Sequence, residues 1–343
     1  MPNPADEPGS ALWSHLLALP KAEVHVHLEG SLDADQLALL AAQAGQPLPR
    51  PREQLFQFSG LADFLHFLDW ACGLVRSHEQ LAAIAYAFCS RMAASGTGYA
   101  DVIVNPTHWP AWRERPGAMV QALDDGFRMA EQDGLPPVGL CISLLRTQSA
   151  AQAVDLVDEL FRLRHPRVVA LSVDGNEALA GRTGPRFAEA FRKAGAHGLR
   201  RTVHAGESSG PDGVRDALDL LGADRIDHGV RAVEDPALVA RLAELGIPLG
   251  VCPGSNLALG LYASMEEHPI NRLRLAGVRV SVNTDDPALF GTSLVQEYAR
   301  CVSAYGWDDG VLRALAGNAV QASFAAPEIK ARLVGQLAAW QAG

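Results

Sequence analysis

Eight short runs rich in β-branched and apolar residues punctuate this chain, and each is followed by enough sequence for a helix. They are Glu23–His27, Tyr99–Val104, Val138–Ser143, Val168–Val173, Arg201–His204, Arg225–His228, Ile247–Cys252 and Val278–Asn283. Strand-forming runs alternating with helical patterns argue for parallel strands joined by crossover helices. Eight such units argue for an α/β chain closed into a (β/α)8 TIM-type barrel; a doubly wound open sheet is the alternative. Residues 33–98 are far longer than one crossover helix needs and carry the helical patterns Leu61–Val75 and Gln80–Ala94. They are expected to form a helical lid insertion after strand one, over the C-terminal face of the barrel. Phe64, Phe67, Leu68 and Trp70 either line that lid or simply build core. No repeat, linker or composition shift divides the chain, so residues 1–343 are expected to form one domain, with a helical tail from Asp308 to Ala342.

Composition narrows the partners. An apolar fraction of 48% across 343 residues supplies a substantial core. The net charge is −10, and Lys and Arg are scattered, which argues against nucleic acid or an anionic membrane as partner. Five dispersed cysteines without a Cys-x-x-Cys pair fit a reduced, cytoplasmic protein. The stretch Met1–Ser10 has no basic segment followed by an apolar run, so no signal peptide is expected. Nor does an uncharged apolar run reach the length of a bilayer span.

The strand ends carry the chemistry. His25 and His27 are two residues apart, so their side chains share one strand face and can grip one metal ion. Alone, that pair equally describes two ordinary polar strand residues. Further along, however, His204, Glu207, His228, Asp285 and Asp286 each stand at or just past a strand end, where barrels of this kind place their active sites. Three imidazoles and a carboxylate suit Zn²⁺ with one position open for water, whose pKa the metal lowers towards neutrality. Of the adjacent Asp285 and Asp286, one can ligate while the other faces substrate. The small residues of His204-Ala-Gly-Glu207 permit a tight turn that returns the Glu carboxyl to the site, and burial there keeps it protonated as an acid. The other seven histidines, among them His268, default to solvated or satisfied roles; His108 lies just past the second strand.

These motifs resemble the adenosine/adenine deaminase family of the amidohydrolase superfamily, from Leu19 to about Pro327. The likeness rests on Pro20-Lys-Ala-Glu-Val-His-Val-His-Leu-Glu-Gly30, Thr202-Val-His-Ala-Gly-Glu207, Asp227-His-Gly229, Val251-Cys-Pro-Gly-Ser-Asn256 and Ser281-Val-Asn-Thr-Asp-Asp-Pro287. It implies one zinc per chain on His25, His27, His204 and Asp285, with His27 also touching the substrate. It implies further that Glu207 protonates purine N1, that His228 orients the attacking hydroxide and helps take up its proton, and that Asp286 bonds N7. By the same resemblance, Gly175 presents its backbone to N3 and Glu29 stands near the sugar 5′ hydroxyl. Two positions depart from the adenosine deaminase pattern: Ser172-Val-Asp-Gly-Asn-Glu177 replaces Asp-Leu-Ala-Gly-Asp-Glu, and Glu29 replaces Asp. The His-x-Glu…Pro-Cys-x-x-Cys pattern of the other zinc deaminases is missing.

The expected activity is hydrolytic deamination of a small-molecule 6-aminopurine, foremost adenosine or 2′-deoxyadenosine, with adenine and aminodeoxyfutalosine as alternatives. An amide or phosphoester hydrolase on the same barrel is a more distant reading. Its frequent two-metal form uses a lysine ending strand four, where this chain has Ser172-Val-Asp174. A non-catalytic relative would have lost ligands or the acid, and all are present.

Overall fold

Helix α1 (Ala11–Ala18) starts at Ser10, whose hydroxyl accepts from the Trp13 N–H, and ends before Pro20. This computed structural model describes residues 8–341; the first seven residues, Ala342 and Gly343 lie outside it, with the outer parts of the N-terminal stretch and of the expected tail. The strands are β1 (Lys21–His27), β2 (Thr97–Val104), β3 (Val138–Leu145), β4 (Val168–Asp174), β5 (Arg200–Ala205), β6 (Arg225–His228), β7 (Leu249–Val251) and β8 (Val280–Val282). They lie side by side in chain order, and every hydrogen-bonded pair is parallel. The expected (β/α)8 barrel is the observed one, and the open sheet is excluded.

Closure of the barrel falls on the site itself. Between β8 and β1 there is a single bridge, Val26 to Asp285, with His27 N donating to Asp285 O at 2.7 Å and Asp285 N to His25 O at 3.2 Å. Towards the N-terminal ends of the strands the buried Asn283 side chain replaces the ladder, its Oδ1 accepting from Val24 N (2.8 Å) and His25 N (3.2 Å). Strand β8 is shorter than the expected Val278–Asn283 at both ends. Strand β7 is shorter than expected at both ends, because Pro248 lacks an N–H and Cys252 is the N-cap of the helix Pro253–Ala258. On the outside, the helix Asp309–Ala322 covers the β1–β8 seam, Asn318 donating to Val280 O at 3.0 Å.

Between β1 and β2 stand α2 (Ala34–Ala44), α3 (Leu61–Gly73) and α4 (His78–Ala94). Capping boxes at Asp33/Gln36 and Ser77/Gln80 start α2 and α4. Helix α4 packs on β2 and on α5 (Pro116–Gln132), so it serves as the crossover while α3 is surplus to the repeat. At the barrel's other end Arg225, fully buried, pairs with Asp101 (2.6 Å) and Asp227 (3.2 Å). All five cysteines are buried and unpaired. Among the described residues no helix is long and apolar enough to cross a membrane.

Candidate active site

At the C-terminal rim four donor atoms converge. His204 Nε2 lies 3.0 Å from His25 Nε2 and 2.9 Å from His27 Nε2. Asp285 Oδ1 lies 3.2 Å from His25 Nε2 and 3.3 Å from His27 Nε2. Ligands about 2.1 Å from one ion stand about 3.0 Å apart at right angles and about 3.4 Å apart at tetrahedral angles, so these edges fit a single metal. The hydrogen bonds behind these donors agree. His25 Nδ1–H donates to Gly250 O at 2.8 Å, which leaves the Nε2 lone pair facing the site. Ser255 Oγ donates to Asp285 Oδ2 at 2.6 Å and so turns Oδ1 towards the imidazoles. His204 Nδ1 has no hydrogen-bond partner, since Asp227 Oδ2 stands 3.6 Å away.

Two of these positions are held in a left-handed backbone conformation, Asp285 at φ 66° and His228 at φ 64°. Non-glycine residues rarely adopt it, and such strain concentrates at functional sites. His228 is also within 4.8 Å of His25, His204 and Asp285. Its Nε2, however, faces Glu207 Oε1 (3.4 Å) and stands 3.9 Å from Asp285 Oδ2, the oxygen bound by Ser255, whereas His27 Nε2 lies 3.3 Å from the free Oδ1. The geometry therefore favours His27 over His228 as the fourth member of the ligand set.

Electrostatics divides the groups. Burial and the neighbouring imidazoles press His204 well below the usual histidine range, and burial and His25 do the same to His228. Burial opposes ionisation of Asp285, yet His25, His27 and His228 outweigh it and hold the carboxylate well below its ordinary value. Asp286 is pushed well above that value by burial and by Asp285. Glu207 rises to about 8 through burial, Asp285 and Glu177, so it keeps its proton at neutral pH. Burial opposes a charge on His27, yet Asp285, Asp286 and Asp174 outweigh it and raise that ring well above the usual histidine range; carboxyl groups gathered this closely around imidazoles call for a cation.

Beside the four donors a cavity of ≈ 70 Å³ is lined by His27, Glu29, Gly175, Glu207, His228 and Asp286, with His108 also at its wall. Phe64, Leu65 and Leu68 of α3 line it as well, whereas Phe67 packs on Phe56, Phe58 and Trp70. The candidate ligands and substrate residues named from the sequence thus gather around this cavity, while Phe67 and Trp70 do not line it. Gly30 leaves the space for Asp286, whose Oδ1 would sit 2.0 Å from a Cβ there. Gly175 has φ +99°, a conformation suited to glycine. Arg146, buried, donates to Gly175 O (3.2 Å) and to His204 O, tying the ends of β4 and β5 together.

Several contacts of the site were not foreseen. Glu177 does not face the cavity: its carboxylate accepts four backbone N–H groups, from Gly206 (2.8 Å), Glu207 (3.0 Å), Ser208 (3.2 Å) and Ser209 (3.1 Å). It therefore holds the loop that carries Glu207. Glu29 Oε1 accepts from Asn105 N and Trp109 Nε1, each at 2.7 Å, while Oε2 is buried with no partner. Asn256 and His268 stand behind Glu207 and His228. Asn256 and Glu177 lie inside motifs quoted above but without an assigned role, whereas His268, Asn105 and Trp109 come from other segments.

Residues 20–340 match the family model for adenosine deaminase. An adenine deaminase of Agrobacterium fabrum is 34% identical over 327 residues, covering 95% of this chain and 99% of its own. An aminodeoxyfutalosine deaminase of Streptomyces coelicolor is 36% identical over 342 residues, covering 96% and 88%. The crystal structure of an amidohydrolase from Burkholderia ambifaria, with bound zinc, superposes with a TM-score of 0.86 at 30% identity, covering 96% of each chain. The barrel-rim cluster of three histidines and an aspartate, with Glu207 beside it, stands in a chain matched along nearly its whole length: it belongs to the adenosine deaminase family, hydrolases that remove an amino group from a purine.

Proposed function

We propose that this protein is a zinc-dependent deaminase of free adenine, yielding hypoxanthine and ammonia. The observation that carries the substrate is Glu29. Its Oε1 is saturated by Asn105 and Trp109, and its buried Oε2 lacks a donor at the wall of the cavity beside the metal ligands. A carboxylate oxygen left buried without a donor is costly. Free adenine brings an acidic ring N–H that a nucleoside has replaced by sugar, and adenine needs no room for ribose. Adenine deaminases among the relatives support the same choice, which sets the base ahead of the nucleoside expected from sequence.

In this reading His25, His27, His204 and Asp285 hold the zinc. The ion, when bound, supplies Lewis acidity that makes hydroxide available near neutral pH. Glu207 holds its proton for purine N1, which drains electron density from C6 and prepares it for attack. Asp286 meets N7 and Gly175 faces N3, so the ring is fixed along both edges. His228 hydrogen-bonds the attacking oxygen. Phe64, Leu65 and Leu68 exclude water from above, which is the lid role proposed for α3.

Catalytic efficiencies for adenine, adenosine, 2′-deoxyadenosine and aminodeoxyfutalosine, measured side by side, test the substrate. Adenine is expected to lead by about 10²-fold or more, the range lost when a buried polar group is left unpaired. A nucleoside preference overturns the adenine assignment and leaves deamination standing.

A further inference from the structure

Behind the reacting groups runs a chain of hydrogen bonds whose direction is set by the backbone. Ile270 N–H donates to His268 Nδ1 at 3.3 Å. A backbone N–H can only donate, so the hydrogen of a neutral His268 sits on Nε2. His268 is 1% exposed, and burial and then Arg272 lower its pKa to about 3, so the ring is neutral. Its Nε2–H then donates to Asn256 Oδ1 at 3.1 Å. That fixes which way the Asn256 amide faces: its NH₂ group points forward, 3.4 Å from His228 Nδ1 and 3.5 Å from Glu207 Oε1.

An amide NH₂ has only hydrogens to offer, so His228 Nδ1 must present its lone pair. The opposite edge of the ring agrees, because Nε2 faces the carboxyl oxygens of Glu207 (3.4 Å) and Asp285 (3.9 Å). The forward contacts are long, as catalytic hydrogen bonds often are before substrate draws the groups together.

We propose that Asn256 is a positioning residue that pins the hydrogen of His228 on Nε2, so that this ring meets the attacking oxygen as a hydrogen-bond donor, and that the same amide steers the Glu207 carboxyl. This rests on the deaminase reading for what the ring meets, and on hydrogen-bond geometry alone for the tautomer. In the resting enzyme His228 is then an orienting donor whose Nε2 has no lone pair to accept a proton. His268 acts one step further back, by fixing the amide.

The test is the ¹⁵N spectrum of the histidine rings in the zinc-loaded protein at neutral pH, with His228 assigned by its loss in His228→Gln. The wild type is expected to show His228 protonated at Nε2 and bare at Nδ1. Asn256→Asp keeps the shape but presents an acceptor, and is expected to move the hydrogen to Nδ1. With adenine, kcat should fall about 10²-fold in Asn256→Asp and Asn256→Ala, the scale of a disturbed acid–base pair, while KM changes less than about threefold. A wild-type His228 protonated at Nδ1 overturns the proposal. So does an Asn256→Asp protein with both ring pattern and kcat unchanged. The spectrum needs no turnover, so failure to deaminate any 6-aminopurine sinks the functional reading and leaves this test decisive.

Discussion

Replacing Glu207 by Gln is expected to lower kcat by about 10²–10⁴-fold, the contribution of a positioned general acid, while zinc content stays the same. Gln keeps the shape and the contact with Asn256 and loses the transferable proton. The wild-type carboxyl is pushed up to about 8 by burial, Asp285 and Glu177. The acid form therefore predominates below that pH, and kcat/KM is expected to fall as pH rises through it. This alkaline limb should vanish in Glu207→Gln. A Gln variant with near-normal turnover contradicts the assignment.

The second large effect concerns the donors themselves. His25→Ala removes an imidazole whose Nδ1 is fixed by Gly250 O and whose Nε2 points at the convergence point. Asp285→Asn removes the carboxylate at the barrel seam. Both are expected to reduce bound zinc and to lower turnover by about 10³-fold or more, because Lewis-acid stabilisation amounts to several kcal/mol. Metal analysis beside the rate measurement separates lost binding from misplacement. Full zinc content with normal turnover in both variants removes these residues from the ligand set.

What local patterning could reveal was considerable. Period-two spacing put His25 and His27 on one face, and the alternation of runs announced the barrel because each strand is built from contiguous residues. The insertion was visible as excess length. Less visible was everything set by distant segments meeting. Asn283 completes the β1 edge across more than 250 residues, a job no propensity encodes. Glu177 stood in the sequence only as the end of a motif, with nothing local to show that it binds the loop of Glu207. His268 reads as one more histidine until Asn256 approaches it. Strand β7 is short because a cap takes over from the ladder.

The account stands or falls on one titration. Protein stripped of metal is loaded with zinc in steps, and ammonia released from adenine is measured at each. The expected result is no ammonia without metal and a linear rise that saturates at about one zinc per chain, as a single three-nitrogen, one-oxygen site requires. Ammonia release from metal-free protein, saturation only at two zinc ions, or no ammonia at any loading contradicts it.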